Sequence, residues 1–154
     1  MAKQSAGLLM YRHHAGALEV FLVHPGGPLW AKKDQGAWTV PKGEYLDDEP
    51  ALDAARREFA EETGFPVEGP YIDLGSIRQS GGKLVAAWAF AGDCDPSALV
   101  SNTCMIEWPP RSKRTIEIPE VDRGQWFSLD EARIYLRETQ HPFLDRLRSA
   151  LEKP

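Results

Sequence analysis

Three glutamates, Glu58, Glu61 and Glu62, stand at offsets of three and four. On an α-helix such residues share one face about a turn long. Left unpaired they repel, and each like-charge pair at this spacing costs roughly 0.2–0.5 kcal/mol, so a positive partner belongs there. Oxygen donors in this number, with waters completing an octahedron, suit Mg²⁺ or Mn²⁺. Hard cations held by few carboxylates are commonly shared with substrate phosphates, so the acidic face predicts a phosphorylated ligand. Arg57 directly precedes Glu58, where its guanidinium can bridge Glu49 and one helix carboxylate and fix their rotamers. Gly43 marks a turn that leaves carbonyls such as that of Lys42 free to face a cation, and Gly64 can take the left-handed conformation past the helix end. The competing reading is a solvated acidic helix face.

The elements that must position these groups follow from periodicity. Segment 49–63 has Ala51, Leu52, Ala55 and Phe59 at offsets of about three and four, with Asp47 and Asp48 ahead, Pro50 just inside and Gly64 behind, which predicts a helix. Apolar runs 6–11 and 18–23 flank a turn-prone stretch and predict a strand hairpin; 38–40 predicts a short strand ended by Pro41. Segments 72–79 and 83–90 form a second antiparallel pair around Gly81 and Gly82. Both alternating sets of 84–90 are apolar, so helices must cover both faces of the sheet. Pro96, Pro109, Pro110 and Pro119 interrupt 93–122, which is read as mostly loop with one strand near 103–108. Trp126 and Phe127 suggest a last short strand, Ser128 to Glu131 a capping box opening a helix through Leu136, and 143–151 a final helix burying Phe143, Leu144, Leu147 and Leu151.

Gly43, Glu49, Arg57, Glu58, Phe59, Glu61, Glu62, Gly64 and Phe65 match every fixed position of the Nudix box. With the order of strands and helices around it, the chain resembles a Nudix domain over nearly its whole length, taken as a single domain over 1–154. The resemblance implies an α/β (α+β) fold, an αβα sandwich with a mixed, largely antiparallel sheet between helices. It also implies Mg²⁺-dependent cleavage of a nucleoside diphosphate linked to a further group, by water attack on phosphorus. Glu58, Glu61 and Glu62 are matched to the family's metal ligands, with one of them or a loop glutamate as base. Among the loop candidates Glu107, Glu117 and Glu120, the last is favoured: it precedes Trp126 by about the spacing of a similar glutamate in dinucleoside polyphosphate hydrolases of the superfamily.

The segment Trp38-Thr39-Val40-Pro41-Lys42-Gly43 resembles the entrance to the box in diadenosine tetraphosphate and diphosphoinositol phosphate hydrolases, which favours a polyphosphate chain over a sugar diphosphate. Lys42, Arg111 and Arg114, with Lys113 beside them, are the phosphate-contact candidates; Lys32, Lys33, Arg78 and Lys83 stand behind them. Trp30 and Trp108 are candidates to stack on a base, whereas Trp88 and Trp126 read as packing. His13, His14, His24 and His141 read as surface or turn residues. The stretch around Trp108 to Ser112 and Pro119 to Arg123 resembles small bacterial Nudix proteins described as nucleotide pyrophosphohydrolases.

The formal charge of −5 is a poor footprint for binding duplex nucleic acid. The longest apolar run, 84–91, is far short of the roughly 20 residues that span a bilayer. Two cysteines, Cys94 and Cys104, are too few for a disulfide framework, so a soluble protein of the reducing cytoplasm is expected. The reading is a Mg²⁺-dependent pyrophosphohydrolase of a nucleoside polyphosphate, with Mn²⁺ as possible substitute, a small-molecule nucleotide as partner and the oligomeric state open. A Nudix-fold nucleotide-binding regulatory module and a scaffold with a structural acidic helix are the alternatives; the intact Arg-Glu-x-x-Glu-Glu core favours the enzyme.

Overall fold

Strands that are apolar on both alternating sets require cover on both sides, and the computed structural model, which describes residues 3–152, provides it. The elements are β1 (Gln4–His14), β2 (Ala17–Pro25), β3 (Lys42–Glu44), α1 (Ala51–Thr63), β4 (Ile72–Arg78), β5 (Leu84–Ala91), β6 (Thr103–Glu107), β7 (Thr115–Pro119), β8 (Val121–Ser128), α2 (Leu129–Tyr135) and α3 (His141–Glu152). The main sheet runs β4-β5-β1-β2-β8 with β3 added on β1, and β6 and β7 form a separate ribbon. Among the described strands, β1 and β5 pair in parallel and the other neighbours are antiparallel. The expected mixed sheet between helices is the one found.

Side-chain alternation divides the interior in two. Leu9, Val20, Leu22, Val85, Ala87 and Ala89 pack with Leu129, Ala132, Phe143, Leu144 and Leu147 of α2 and α3. Leu8, Met10, Phe21, Val23 and Phe90 pack instead with Ala54, Ala55 and Phe59 of α1. Each large apolar side chain buried this way contributes about 1.5–3 kcal/mol, which fixes α1 on the sheet with its acidic residues at the edge of the contact.

β1 and β2 pair only from Tyr11 onward, and the first half of β1 takes β3 instead, with Gly7 opposite Lys42. Residues 38–41 wedge between them: Val23 and Thr39 exchange two backbone bonds of 2.9 Å, and Leu8 N–H donates to the Pro41 carbonyl at 3.2 Å. Buried Gln140 closes the wedge, accepting from Val40 N–H at 3.0 Å and donating to Thr39 Oγ1 at 2.9 Å. The strand expected at 38–40 is therefore reduced to single bridges, from Trp38 to Leu136 and from Thr39 to Val23. Regular pairing starts only after Pro41, which has no N–H to offer a ladder.

The segment read as mostly loop is a correction. The strand expected near 103–108 forms as β6, but it pairs with a second strand, β7, in a hairpin with Cys104 opposite Ile118 and Ile106 opposite Ile116. Both strands alternate exposed and half-buried residues; of the prolines that suggested a loop, Pro109 and Pro110 fall in the connection, Pro119 at the last position of β7 and Pro96 ahead of the hairpin. The final strand is also longer than expected, because pairing with β2 continues from Ser128 back to Val121. The capping box at Ser128 and Glu131 forms as expected.

α1 ends at Gly64, whose φ of 74° is left-handed and whose N–H donates to the Ala60 carbonyl at 2.9 Å. The Thr63 and Glu61 carbonyls accept from the N–H groups of Val100 at 3.0 Å and Asn102 at 2.7 Å, docking the approach to β6 on the helix end. A Cβ on Gly64 would stand 3.2 Å from the Val100 carbonyl oxygen in addition to the left-handed strain. Gly64→Ala is expected to lower stability by about 1–2 kcal/mol, read as a reduced urea midpoint at unchanged slope.

Candidate metal and anion site

Helix α1 turns Glu58 and Glu62 toward the start of β8, where Glu120 stands. One ligand oxygen from each of these three residues lies within 4.8 Å of the others. Glu58 is 8% exposed and Glu62 5%, while Glu120 is half-buried. Glu61 stands at the rim, its Oε1 3.5 Å from Arg57 Nη1. The acidic face thus divides. At 3.6 residues per turn an offset of four returns to within about 40° of the starting direction, whereas an offset of three falls about 60° to the other side.

The chain's own groups hold the trio in place. Arg57 grips Glu49 through two bonds of 2.9 Å and donates from Nη1 to Glu58 Oε1 at 2.9 Å, the bridge its place in sequence suggested. Those bonds hold the Glu49 carboxyl below its ordinary range. Gly43 is required by close approach: a Cβ there would fall on the Glu58 carboxylate. Glu120 is anchored through its backbone, its N–H donating to the Asn102 carbonyl and its carbonyl accepting from Gly26 N–H, both at 3.0 Å.

Burial first, then the charges of Glu58 and Glu120, push the Glu62 carboxyl up to about 9; Lys42 opposes through its charge and backbone N–H. Burial also raises Glu58, against the Arg57 hydrogen bond and with the charge of Glu61. Burial and the charge of Glu61 raise Glu120, against a hydrogen bond from Asn102. Glu62 Oε2 is buried with no hydrogen-bond partner. An orphaned carboxylate oxygen beside two further carboxylates fits a hard divalent cation, and the all-oxygen donor set suits Mg²⁺ or Mn²⁺. Glu58, Glu62 and Glu120 are the residues placed to hold it.

Glu62 and Glu120 line a cavity of about 270 Å³ together with Trp30, Lys42 and Arg137, and Cys104 and Ile118 of the hairpin contribute to its lining. Burial, then the charges of Lys83 and Arg137, push the Lys42 ammonium down to about 8. A wider hollow of about 410 Å³ lies between β2 and α3, lined by residues such as Leu18, Arg148 and Leu151. Among the described residues no acidic trio faces it.

Arg111, Arg114 and Trp108 lie at the far end of the hairpin and do not line the acidic cavity. Glu107 caps that turn, accepting from the backbone N–H groups of Arg111 at 3.0 Å and Lys113 at 3.1 Å, and Glu117 is exposed on the ribbon. Glu120 is the one loop candidate of the three that reaches the acidic helix. Trp126 packs edge-on to Phe21, with the Arg12 guanidinium 4.2 Å from its ring centre. His24 is a correction: it is fully buried, with Nδ1 2.9 Å from Asp122 Oδ1 and Nε2 2.6 Å from the Lys33 carbonyl oxygen. It continues the inward set of Val20 and Leu22, and that alternation was the available signal. His141 is half-buried, with Nε2 2.9 Å from the Leu136 carbonyl oxygen. Arg137 belongs to no motif and enters the cavity because the chain turns back after α2, its N–H donating to the Trp38 carbonyl at 2.9 Å.

The family model for the NUDIX domain matches residues 1–147. A 17.7 kDa protein of Enterobacteria phage T4, from the e-segB intergenic region, is 35% identical over 98 residues, a match covering 58% of this chain and 64% of the phage protein. The chain therefore spans less than two thirds of that relative's length. The NUDIX domain of Shewanella oneidensis NrtR, complexed with ADP ribose, is similar in structure at a TM-score of 0.67 and 18% identity, covering 98% of this chain and 89% of that one. A binary complex of C. elegans Ap4A hydrolase gives 0.67 at 21% identity, covering 96% and 97%. The E. coli ORF135 protein gives 0.57 at 21% identity, covering 98% and 93%. At these identities the solved structures share the fold.

The acidic trio has a consequence for stability. The folded-state value of Glu62, about 9, lies above its ordinary 4.5, so its contribution is complete below pH 4.5 and is lost as pH rises toward 9. Glu58 and Glu120 shift in the same direction, and Lys42 acts oppositely only from about pH 8 upward. Thermal melts in EDTA are expected to show stability falling from about pH 5 to about pH 8. Mg²⁺ or Mn²⁺ should remove the slope, and Glu62→Gln should flatten it without a cation; a flat parent profile would contradict this account.

Proposed function

The chain belongs to the NUDIX family, and from that premise we propose that it is a divalent-metal-dependent pyrophosphohydrolase of nucleoside polyphosphates, dinucleoside polyphosphates ahead of modified nucleoside triphosphates. One observation carries the reading: of three clustered carboxylates, Glu62, with an orphaned buried oxygen, and Glu120 line the same cavity as the cationic side chains of Lys42 and Arg137. The carboxylates suit a cation that meets phosphate oxygens, and the cationic side chains suit the rest of an anionic chain. The volume of about 270 Å³ falls just below the roughly 300–1,000 Å³ that encloses a drug-sized ligand. The phosphate chain therefore lies inside, with nucleoside at the rim.

In this reading Glu58, Glu62 and Glu120 would hold Mg²⁺, Glu61 would complete the acidic set from the rim, and the Lys42 carbonyl would be a further donor. When bound, the cation neutralises phosphate oxygens and makes a coordinated water more acidic. Arg57, locked on Glu49, keeps the Glu58 carboxylate in one orientation. The Lys42 ammonium, in the same cavity, attracts the phosphate chain. Glu120 is the least buried of the trio and is the member an attacking water reaches, which suits it to accept a proton. The water oxygen bonds to phosphorus as the bridging P–O bond breaks. Its proton passes to the Glu120 carboxylate, and the bond's electron pair leaves with the departing phosphate.

Glu58→Gln and Glu62→Gln are expected to lower kcat/KM on the order of 10²–10⁴ at saturating Mg²⁺. Glu120→Gln is expected to lower kcat much more than it raises KM. Phosphate and pyrophosphate release should be measured on diadenosine tetraphosphate, ATP, ADP-ribose and a nucleotide sugar, with the first two giving the higher kcat/KM. The reverse order would overturn the substrate choice. Absence of turnover on all four with either Mg²⁺ or Mn²⁺ would move the protein to a binding role.

A further inference from the structure

Arg137 is the cation for which the rest of the fold gives no account. Its backbone is fixed by the bond to the Trp38 carbonyl, and its side chain is half-buried in the cavity wall. Among the described residues the guanidinium makes no ion pair and no hydrogen bond. Arg12 and Arg57, by contrast, both close on carboxylates. Its one defined contact is aromatic: Cζ lies 4.7 Å from the ring centre of Trp30, and Lys33 Nζ lies 4.9 Å from the same ring. Burial lowers the Arg137 pKa, and its charge is one of those that lower Lys42.

A planar fork of N–H donors withdrawn from water without an acceptor is costly, and so is a second cation beside it. A tetrahedral oxyanion relieves both, since two of its oxygens match the guanidinium fork and a third can meet an ammonium. Glu62 and Glu120, which share this cavity, face the cation site and repel such an anion from their own side. We infer that Arg137 and Lys42 form a phosphoryl-binding clamp, distinct from the acidic trio, that takes a phosphate next along the chain from the one under attack. The clamp rests on the pyrophosphohydrolase reading for the identity of the reacting phosphate. It adds that a substrate is recognised through a phosphate beside the one under attack, so that at least two consecutive phosphates are held. Trp30 is a positioning residue that holds Arg137 against its ring.

The test uses the full chain and inorganic tripolyphosphate as probe, titrated calorimetrically with and without Mg²⁺, beside kinetics on diadenosine tetraphosphate. Arg137→Gln should weaken tripolyphosphate binding and raise KM by about 10- to 100-fold, the range for losing a charge-assisted hydrogen-bonded pair, with kcat changed less than about threefold. Arg137→Lys should recover part of the affinity, since it keeps the charge and loses the fork. Trp30→Ala should raise KM in the same direction, and Trp30→Phe should restore it. Should Arg137→Gln fail to fold, Arg137→Lys with parental affinity overturns the clamp. Parental affinity and KM in Arg137→Gln, or no tripolyphosphate binding by the parent, also overturns it. A parent that cleaves no nucleotide, yet loses tripolyphosphate affinity on Arg137→Gln, keeps the clamp and removes the hydrolase reading instead.

Discussion

Mutual repulsion among Glu58, Glu62 and Glu120 is the constraint around which the rest of the molecule is arranged. At separations up to 4.8 Å, each ionised pair costs roughly 3 kcal/mol or more at an effective dielectric of about 20. A carboxylate so placed must be protonated, paired or joined by a cation. Only Glu58 of the three has an arginine bonded to it, and that arginine is shared with Glu49 and Glu61. Glu62 has no such partner and carries the orphaned oxygen. The cluster thus carries an electrostatic cost that a divalent cation would offset, and any metal binding there would be coupled to stability.

Holding like charges together requires rigid supports from several parts of the chain. Apolar packing of Ala54, Ala55 and Phe59 pins α1 to the sheet, so Glu58 and Glu62 cannot rotate away as a unit. The β3 backbone presses on Glu58 where Gly43 leaves room, and the 38–41 wedge that brings it there is secured by Gln140 from the opposite layer. Glu120 is delivered by the β6–β7 ribbon and bonded at both backbone groups. His24 joins the Lys33 carbonyl of the Trp30 loop to Asp122, just beyond Glu120, so the loop and the start of β8 are tied to one another. Positioning the site therefore draws on both faces of the sheet.

The parts that could be read from sequence are those set by local periodicity. Offsets of three and four placed α1 and its carboxylates, a glycine marked its end, and alternation in β5 foretold helices on both faces. The Arg57 bridge was legible too, because its partners lie close in sequence. What was not legible depends on distant pairing. The β6–β7 hairpin has a period-two pattern, yet one half-buried face and four surrounding prolines disguise it. His24 looks like a loop residue until the inward set of β2 is extended by one more step. Arg137 carries no local signal, since its burial arises from a chain reversal after α2 that packs against residues a hundred positions earlier. Arg111 and Arg114 show the converse: a dense basic run suggests a site, but the hairpin carries it away from the cavity.

The most direct test is a calorimetric titration of metal-free protein with Mn²⁺ at pH 7, repeated in two buffers of different ionisation enthalpy. With Glu62 protonated at that pH, the account predicts saturable binding with proton release into the buffer, and the loss of that release in Glu62→Gln. Absence of saturable binding in the parent, or binding and proton release unchanged in Glu62→Gln, would contradict it.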